Sequence, residues 1–344
     1  MNARHLRIAA LTGGKNVPSA RFRVRQLIPA LSRLGVDMHE FTPLISRYPP
    51  PQKWLRPMWA LASLAGRVPA VIATHVYDAV LLQRELLSTL VTLEPFTKRP
   101  RVLDVDDAIF LYRGGKHARR LALQSDLIIC GNDFLAERFA LWNRNVVVIP
   151  TAVDTLRYMP RKRSFDLGDK LVVGWIGTSG NFKYLHQIVT ALEKVLKTLP
   201  NVVLRVIADK QPLFRGILKE RLDFIRWSPE TEVTGIQSMT VGIMPLADTE
   251  WERGKCSYKM LQYMACGIPV VVSPVGMNAQ VLALGGAGIG ASSQNEWVDA
   301  LLLLLLDERE RDRMGRIGRC IVEDHFSIDA VTLLVAQQLK QVAL

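Results

Sequence analysis

Short apolar runs that do not alternate recur along this chain, separated by stretches of helical period. In the first half they fall at 6–11, 79–82, 102–105, 127–130 and 146–149, and in the second half at 171–176, 202–207, 224–227, 241–244 and 269–272. A strand with one face in water alternates apolar and polar residues, whereas a strand covered on both faces reads as a continuous apolar run. The pattern therefore predicts parallel strands sandwiched by helices, arranged as two doubly wound, Rossmann-like α/β sheets. A chain of 344 residues with 49% hydrophobic content has the length and the apolar mass for two such cores, which excludes a disordered or fibrous chain.

Residues 150–170 hold two prolines and the basic patch Arg161-Lys162-Arg163-Ser164 without periodicity, as an interdomain linker would. We expect a first domain over 1–150, a linker over 151–170, a second domain over 171–327 and a closing helix over 328–344. The leucine tract that ends at Leu306 falls short of the roughly 20 residues needed to span a bilayer, and reads as a buried helix. Cys130, Cys256, Cys266 and Cys320 lack metal-type spacing, and the first residues do not resemble a secretion signal, so a reduced cytosol is expected.

The net charge is +12, and most of that excess lies in the first 150 residues. Such a field favours phosphate-rich partners: anionic lipid, nucleic acid or an acidic substrate. Charge alone does not choose among them. Nucleic acid is disfavoured because no aromatic-rich recognition motif accompanies the basic residues. Trp54, Arg56, Met58, Trp59, Leu61 and Arg67 crowd one stretch, which suits either an anionic membrane surface or a core helix with a few surface arginines.

The segment from Arg253 to Gly267 carries the most chemistry. Ser257 is placed to cap a helix over about 258–266, and Gly267 to end it in a left-handed conformation. Lys255 precedes that helix and Lys259 sits in its first turn, where the macrodipole already makes a cation unfavourable unless an anion binds. A diphosphate is such an anion. Gln262 shares a face with Lys259 and brings an amide to whatever adjoins the phosphates, as ribose hydroxyls would. The alternative is a solvated lysine pair beside a core helix. Gly177, Thr178 and Ser179 form a glycine-rich turn after the run 171–176, with Lys183 at the start of the next helix.

In the first half, Gly13 and Gly14 follow the opening strand, and Arg21 and Arg25 share a helical face that either lines an anion-binding wall or is merely solvated. Asp104, Asp106 and Asp107 close another strand, with Arg84 and Glu85 expected on the same edge. Clustered carboxylates there suit a metal or a polyhydroxylated ligand, but nothing supplies a complete metal cage.

These segments together resemble the GT-B-fold retaining glycosyltransferases often called family 4, or glycosyl transferases group 1. The likeness is carried by Ser19-Ala-Arg-Phe-Arg-Val-Arg25, by Leu-Gln-Arg84-Glu85-Leu, by Asp104-Val-Asp106-Asp107 and by Val148-Ile-Pro150-Thr-Ala-Val-Asp154. Met244-Pro-Leu, with Gly254-Lys255-Cys256 through Val275-Gly276, completes it. The resemblance implies two Rossmann-like lobes with an interlobe cleft, the first binding the acceptor and the second a nucleotide-diphosphate sugar. It puts Lys183 and Lys259 at the donor diphosphate and Asp106 and Asp107 where relatives hold the transferred sugar or the acceptor. Gly13, Gly14, Gly177, Thr178, Ser179, Lys255, Cys256 and Ser257 become donor contacts, with Trp227 beside the base and Gln262 at the ribose. Arg21, Arg25, Arg84 and Glu85 face the acceptor, and the last helix crosses back to the first lobe.

Two departures stand out. The family's paired glutamates, eight residues apart, are replaced by Gly254 and Gln262, and the arginine that accompanies the phosphate lysine aligns with Thr178. Glu252 is a candidate substitute for the first glutamate. The implied reaction is a metal-independent hexosyl transfer with retention, needing no cofactor, to a glycan or lipid-linked acceptor in cell-surface polysaccharide synthesis. It would run in the cytoplasm, with peripheral attachment to the inner face of a membrane. A silent nucleotide-sugar-binding protein and a sugar-nucleotide epimerase on the same fold are the alternatives.

Overall fold

The computed structural model describes residues 5–46, 48–161 and 170–343. It divides into two compact units, one made of Met1–Ala152, Arg253–Cys256 and Ile328–Leu344 and the other of Val153–Glu252 and Ser257–Ser327. Most of the basic patch in the expected linker, 162–169, lies outside the described residues.

The first unit is built on six parallel strands, β1 (Leu6–Leu11), β2 (Val36–Phe41), β3 (Ala79–Gln83), β4 (Arg101–Val105), β5 (Leu127–Cys130) and β6 (Val146–Val148), in the spatial order β2-β1-β3-β4-β5-β6. The second holds β7 (Leu171–Ile176), β8 (Val202–Ala208), β9 (Leu222–Arg226), β10 (Val241–Met244), β11 (Val270–Val272) and β12 (Gly288–Gly290), also parallel, in the order β12-β11-β10-β7-β8-β9. The doubly wound reading thus holds, with two edge strands added. β2 alternates buried and exposed residues at its start, and β12 has only three residues, two of them glycine, so neither is a continuous apolar run.

Both sheets reverse direction once. After β1 the chain lays β2 on one side and β3 on the other; after β9 it returns to set β10 beside β7. The crevice outside the carboxyl ends at such a reversal is where sheets of this kind bind ligands. The sites of interest are therefore the loops after β1 and β3, and after β7 and β10.

Ile8, Ala10, Leu31, Val36, Leu81 and Val102 centre the first core, and the terminal helix Ile328–Ala343 adds Val331, Val335, Ala336 and Leu339 to it. Val173, Trp175, Leu204, Ile243 and Trp297 centre the second. The leucine tract does form a helix, Gln294–Leu306, started by a capping box of Ser293 and Glu296, but it is not buried all round. Leu301, Leu304 and Leu305 face the core, while Leu303 and Leu306 are exposed.

Candidate active site

In the second unit, Lys183 and Lys259 lie on the helices that follow β7 and β10, the two strands flanking the reversal. Lys259 Nζ sits 5.1 Å from the centroid of the Trp175 ring. That approach is possible only because residue 177 is glycine: a Cβ there would lie 2.6 Å from Trp175 Cη2 and 2.9 Å from Lys259 Cε. Lys183 Nζ lies over the Tyr184 ring at 4.8 Å and 3.8 Å from Glu252 Oε1. Glu252 is itself buried and accepts hydrogen bonds from the hydroxyls of Tyr184 and Thr249. Burial, helped by that carboxylate, pushes the Tyr184 hydroxyl well above its usual range, so it stays a donor at any physiological pH.

The turn after β7 is otherwise committed. Ser179 gives both its backbone N–H (2.6 Å) and its hydroxyl (2.8 Å) to Asp209, whose carboxyl is held below the usual range by those two bonds. Ser179 is therefore tied down internally, which the glycine-rich reading of this turn did not anticipate. Thr178 Oγ1 accepts from Asn181 Nδ2 at 3.0 Å.

The helix Tyr258–Ala265 starts where expected and Gly267, at φ +70°, follows its end in the left-handed region. The cap is different. Ser257 occupies the N-cap position at φ 49° and ψ 25° and makes no side-chain capping bond. A non-glycine residue held in that region carries strain, a feature that gathers at ligand-binding sites.

Gln262 lies on the buried side of this helix. Its Nε2 donates to Tyr158 Oη at 2.8 Å and to Glu232 Oε1 at 3.3 Å. Glu232, also buried, takes Arg157 Nη2 at 3.0 Å on its other oxygen, and the half-exposed Trp227 sends Nε1 to Oε1 at 3.4 Å. Gln262 and Trp227, singled out separately, are thus joined through a carboxylate that no local sequence signal marked.

Lys255 and Cys256 are not grouped with Lys183 and Lys259: Arg253–Cys256 belongs to the first unit. Asn132, which caps the helix Asp133–Ala140 through Leu135 N at 2.9 Å, uses its Nδ2 to hold the carbonyls of Arg253 (3.2 Å) and Lys255 (3.0 Å). Cys256 Sγ donates to Asp106 O at 3.3 Å, and burial pushes its thiol up to about 12. Gly254 has a steric reason to lack a side chain, since a Cβ would lie 2.8 Å from Ala108 Cβ and 3.0 Å from Ala108 N. The missing glutamate at this position is thus built into the packing.

At the reversal of the first sheet, Gly13 N donates to Gln83 Oε1 at 3.4 Å and Gly14 takes φ +135°. Arg84 adopts φ 63° and pairs with Asp107 at 2.7 Å, with Asp106 at 3.9 Å and Glu85 at 4.0 Å. Arg84, Glu85, Asp106 and Asp107 therefore do converge. Around them, Gln83 Nε2, Arg84 Nε, Glu85 Oε2, Asp106 Oδ1 and both ring nitrogens of His117 are buried without hydrogen-bond partners among the described residues. Each such atom costs about 1–3 kcal/mol, so their concentration at one sheet edge marks an edge suited to a hydroxyl-rich ligand.

Three expectations need correcting here. Arg25 is not merely solvated: Glu40 grips its guanidinium at 2.7 and 2.8 Å, so much of its charge is offset within the unit. Arg21 stacks over Phe22 at 4.8 Å, on a π-helical turn, Ala20–Val24, rather than on a regular helix shared with Arg25. Asp104 is a structural residue, bonded to Arg23 Nε by both oxygens at 3.1 Å and to Nη2 at 2.5 Å, while Arg23 Nη1 reaches Ile149 O at 2.7 Å. Burial pushes the Asp104 carboxyl up against the opposing pull of Arg23. Among the described residues no three His, Cys, Asp or Glu gather as metal ligands would.

Residues 170–307 match the family model described as glycosyl transferases group 1. Sucrose-phosphate synthase from Thermosynechococcus elongatus superposes with a TM-score of 0.72 at 16% identity, over 98% of this chain and 99% of that one. HepE from Anabaena, solved with UDP and glucose, gives 0.70 at 16% identity over 98% and 100%. WaaG, a glycosyltransferase involved in lipopolysaccharide biosynthesis, gives 0.68 at 12% identity over 96% and 99%. No curated protein matches by sequence. The fold is thus GT-B, two Rossmann-like units, and the second unit carries the glycosyl transferases group 1 match.

Proposed function

We propose that this chain transfers a hexosyl group from a nucleoside-diphosphate sugar, held by the second unit, to a glycan or lipid-linked acceptor held by the first. The observation that carries the reading is the pair Lys183 and Lys259 on the helices flanking the reversal of the second sheet, with Gly177 keeping backbone and ammonium close. The family match over 170–307 and the UDP-bound relative support a nucleotide-sugar donor. In the reaction an acceptor hydroxyl oxygen bonds to the anomeric carbon, the bond from that carbon to the diphosphate oxygen breaks, and the hydroxyl proton passes to the departing phosphate. The two ammonium groups stabilise the charge that grows on the diphosphate without any metal. Attack from the face the leaving group vacates retains configuration. Arg84, Glu85, Asp106, Asp107 and the unpartnered Gln83 and His117 orient hydroxyls of the sugar or acceptor.

The setting we propose is cell-surface polysaccharide synthesis at the cytoplasmic face of a membrane. The net charge of +12 supports it. A binding protein without transfer remains the second reading, favoured by Gly254 and Gln262 where relatives carry glutamates.

Calorimetry with UDP and GDP tests the donor site. The wild type should bind at least one, and Lys259→Ala should raise that Kd tenfold or more, because a charge-assisted contact contributes about 1.5–3 kcal/mol. Equal affinity in both proteins would remove the proposed site. Donor turnover then separates the two readings: nucleoside diphosphate release with acceptor supports transfer, and binding without turnover of any common donor supports the second.

A further inference from the structure

The helix Arg56–Ala73 lies within a helical stretch of 24 residues, Lys53–Val76, that is long and apolar enough to cross a membrane, and only 22% of its 18-residue apolar window is buried. Its exposed large side chains are Trp54 (75%), Met58 (70%), Leu61 (71%), Val68 (40%), Ile72 (65%) and Val76 (63%). With the exposed Ala65 between them they follow steps of three and four residues, so they form a single stripe. No charge interrupts it. Leu44, 88% exposed, adjoins the stripe at Gly66, where a Cβ would lie 3.9 Å from its side chain. Single exposed apolar residues are ordinary on a protein surface, but a line this long is not.

The opposite face is fixed to the first unit. Ser63, Arg67 and Val71 are buried, and the Arg67 guanidinium donates to Thr12 O at 2.5 Å and to Phe41 O at 3.4 Å. A helix whose inner face carries a bound arginine does not cross a bilayer. It has the one-sided character of a helix that lies in the plane of the interface.

We propose that this helix is an interfacial membrane anchor: the stripe and Leu44 sink among the acyl chains, with Lys53 and Arg56 at the phosphates beside its amino end. Lipid is favoured over a protein partner by charge. Lys53 and Arg56 both lie at the amino end of the stripe and outside it, Arg56 donating to Pro50 O at 3.2 Å and Pro51 O at 3.5 Å. Trp54 at that same end has the ring type that collects at bilayer interfaces, and the whole chain is strongly positive. The inference deepens the membrane setting proposed above and rests on it. Attachment by net charge alone would weaken with salt, whereas burial of an apolar stripe is attachment that salt does not dissolve.

The test is cosedimentation of the full chain with vesicles of phosphatidylcholine and phosphatidylglycerol at 0.1 and 1 M NaCl, for the wild type and for Leu61→Glu/Ile72→Glu. The wild type should stay on vesicles at high salt, and the double variant should partition at least tenfold less while binding UDP or GDP as before. Because that variant alters a helix, Trp54→Phe supplies a second readout: brominated acyl chains should quench the wild type more than Trp54→Phe. Release of the wild type at 1 M NaCl, equal quenching in both, or a lipid-free dimer that Leu61→Glu/Ile72→Glu dissociates would each overturn the anchor. Vesicle binding without nucleotide binding would leave the anchor standing and remove the sugar-transfer reading instead.

Discussion

Lys259 on the helix after β10 and Trp175 on β7 meet as ammonium over ring, 5.1 Å from nitrogen to centroid. The contact ties together the two strands that flank the reversal of the second sheet, and it depends on the open space at Gly177. Gly177→Ala should therefore displace the lysine without touching its charge. UDP or GDP affinity should fall by about tenfold, as for loss of one charge-assisted bond, with a drop in Tm from the crowding of Trp175. Calorimetry and a thermal melt of the same variant check both. Unchanged affinity would mean that the ammonium position is irrelevant to the nucleotide.

The missing glutamates should not be restorable by simple reversion. Gly254→Glu forces a Cβ into the Ala108 backbone and should destabilise the protein by about 1–3 kcal/mol, the range for overpacking. Gln262→Glu sets a second carboxylate against Glu232, whose Oε1 now accepts from Gln262 Nε2 at 3.3 Å. Like charges that close raise a carboxyl pKa in the folded state. A raised acid destabilises progressively as pH climbs above its unfolded value, so the Tm deficit of Gln262→Glu relative to wild type should be larger at pH 8 than at pH 5.

The Arg23 and Asp104 side chains are 4% and 5% exposed, and removing one partner strands the other charge in the core. Arg23→Met should cost about 3–5 kcal/mol in urea unfolding, whereas Arg23→Met/Asp104→Leu should recover most of that loss. A double variant no better than the single would show that packing around Ile149, rather than charge, sets the penalty.

Much of the fold was legible because continuous apolar runs report strands buried on both faces. β1 and β7 coincide with their runs, while β9 begins two residues earlier than the run at 224, because Asp223 cuts Leu222 off from that run although both pair with β8. The site was legible only in part. Lys183, Lys259, Arg84 and Asp107 stand out locally, by charge beside glycine or at strand ends. Whether an arginine is free is a long-range fact: Arg25 is paired by Glu40 on β2, past the helix Ile28–Arg33, and Arg23 by Asp104, 81 residues away. Glu232, Gln83 and His117 gave no signal because each is defined by what surrounds it after folding, and Glu252 stood out only by its distance from the place of a family glutamate.

His117 supplies a pH prediction. Burial lowers its pKa from the ordinary 6.5, with Arg113 and Arg84 adding to that and Glu85 opposing it. Below about pH 6.5 the unfolded chain therefore takes up a proton that the native one resists, so stability is full above that pH and declines as pH falls. The drop in Tm between pH 7 and pH 5 should be smaller in His117→Gln than in the wild type. Parallel pH profiles would assign the acid sensitivity to other groups.

Arg67 joins two parts of the first unit, the loop after β1 and the helix Arg56–Ala73. Its inner end grips Thr12 O, immediately before Gly13 and Gly14, while its own helix presents the apolar stripe on the far side. The loop after β1 is thereby tied directly to the helix that we propose as a membrane anchor. Were the stripe to sink among acyl chains, its depth would fix the height at which that loop stands above the headgroups, and the fold would act as a ruler for how far an acceptor's reactive hydroxyl must project.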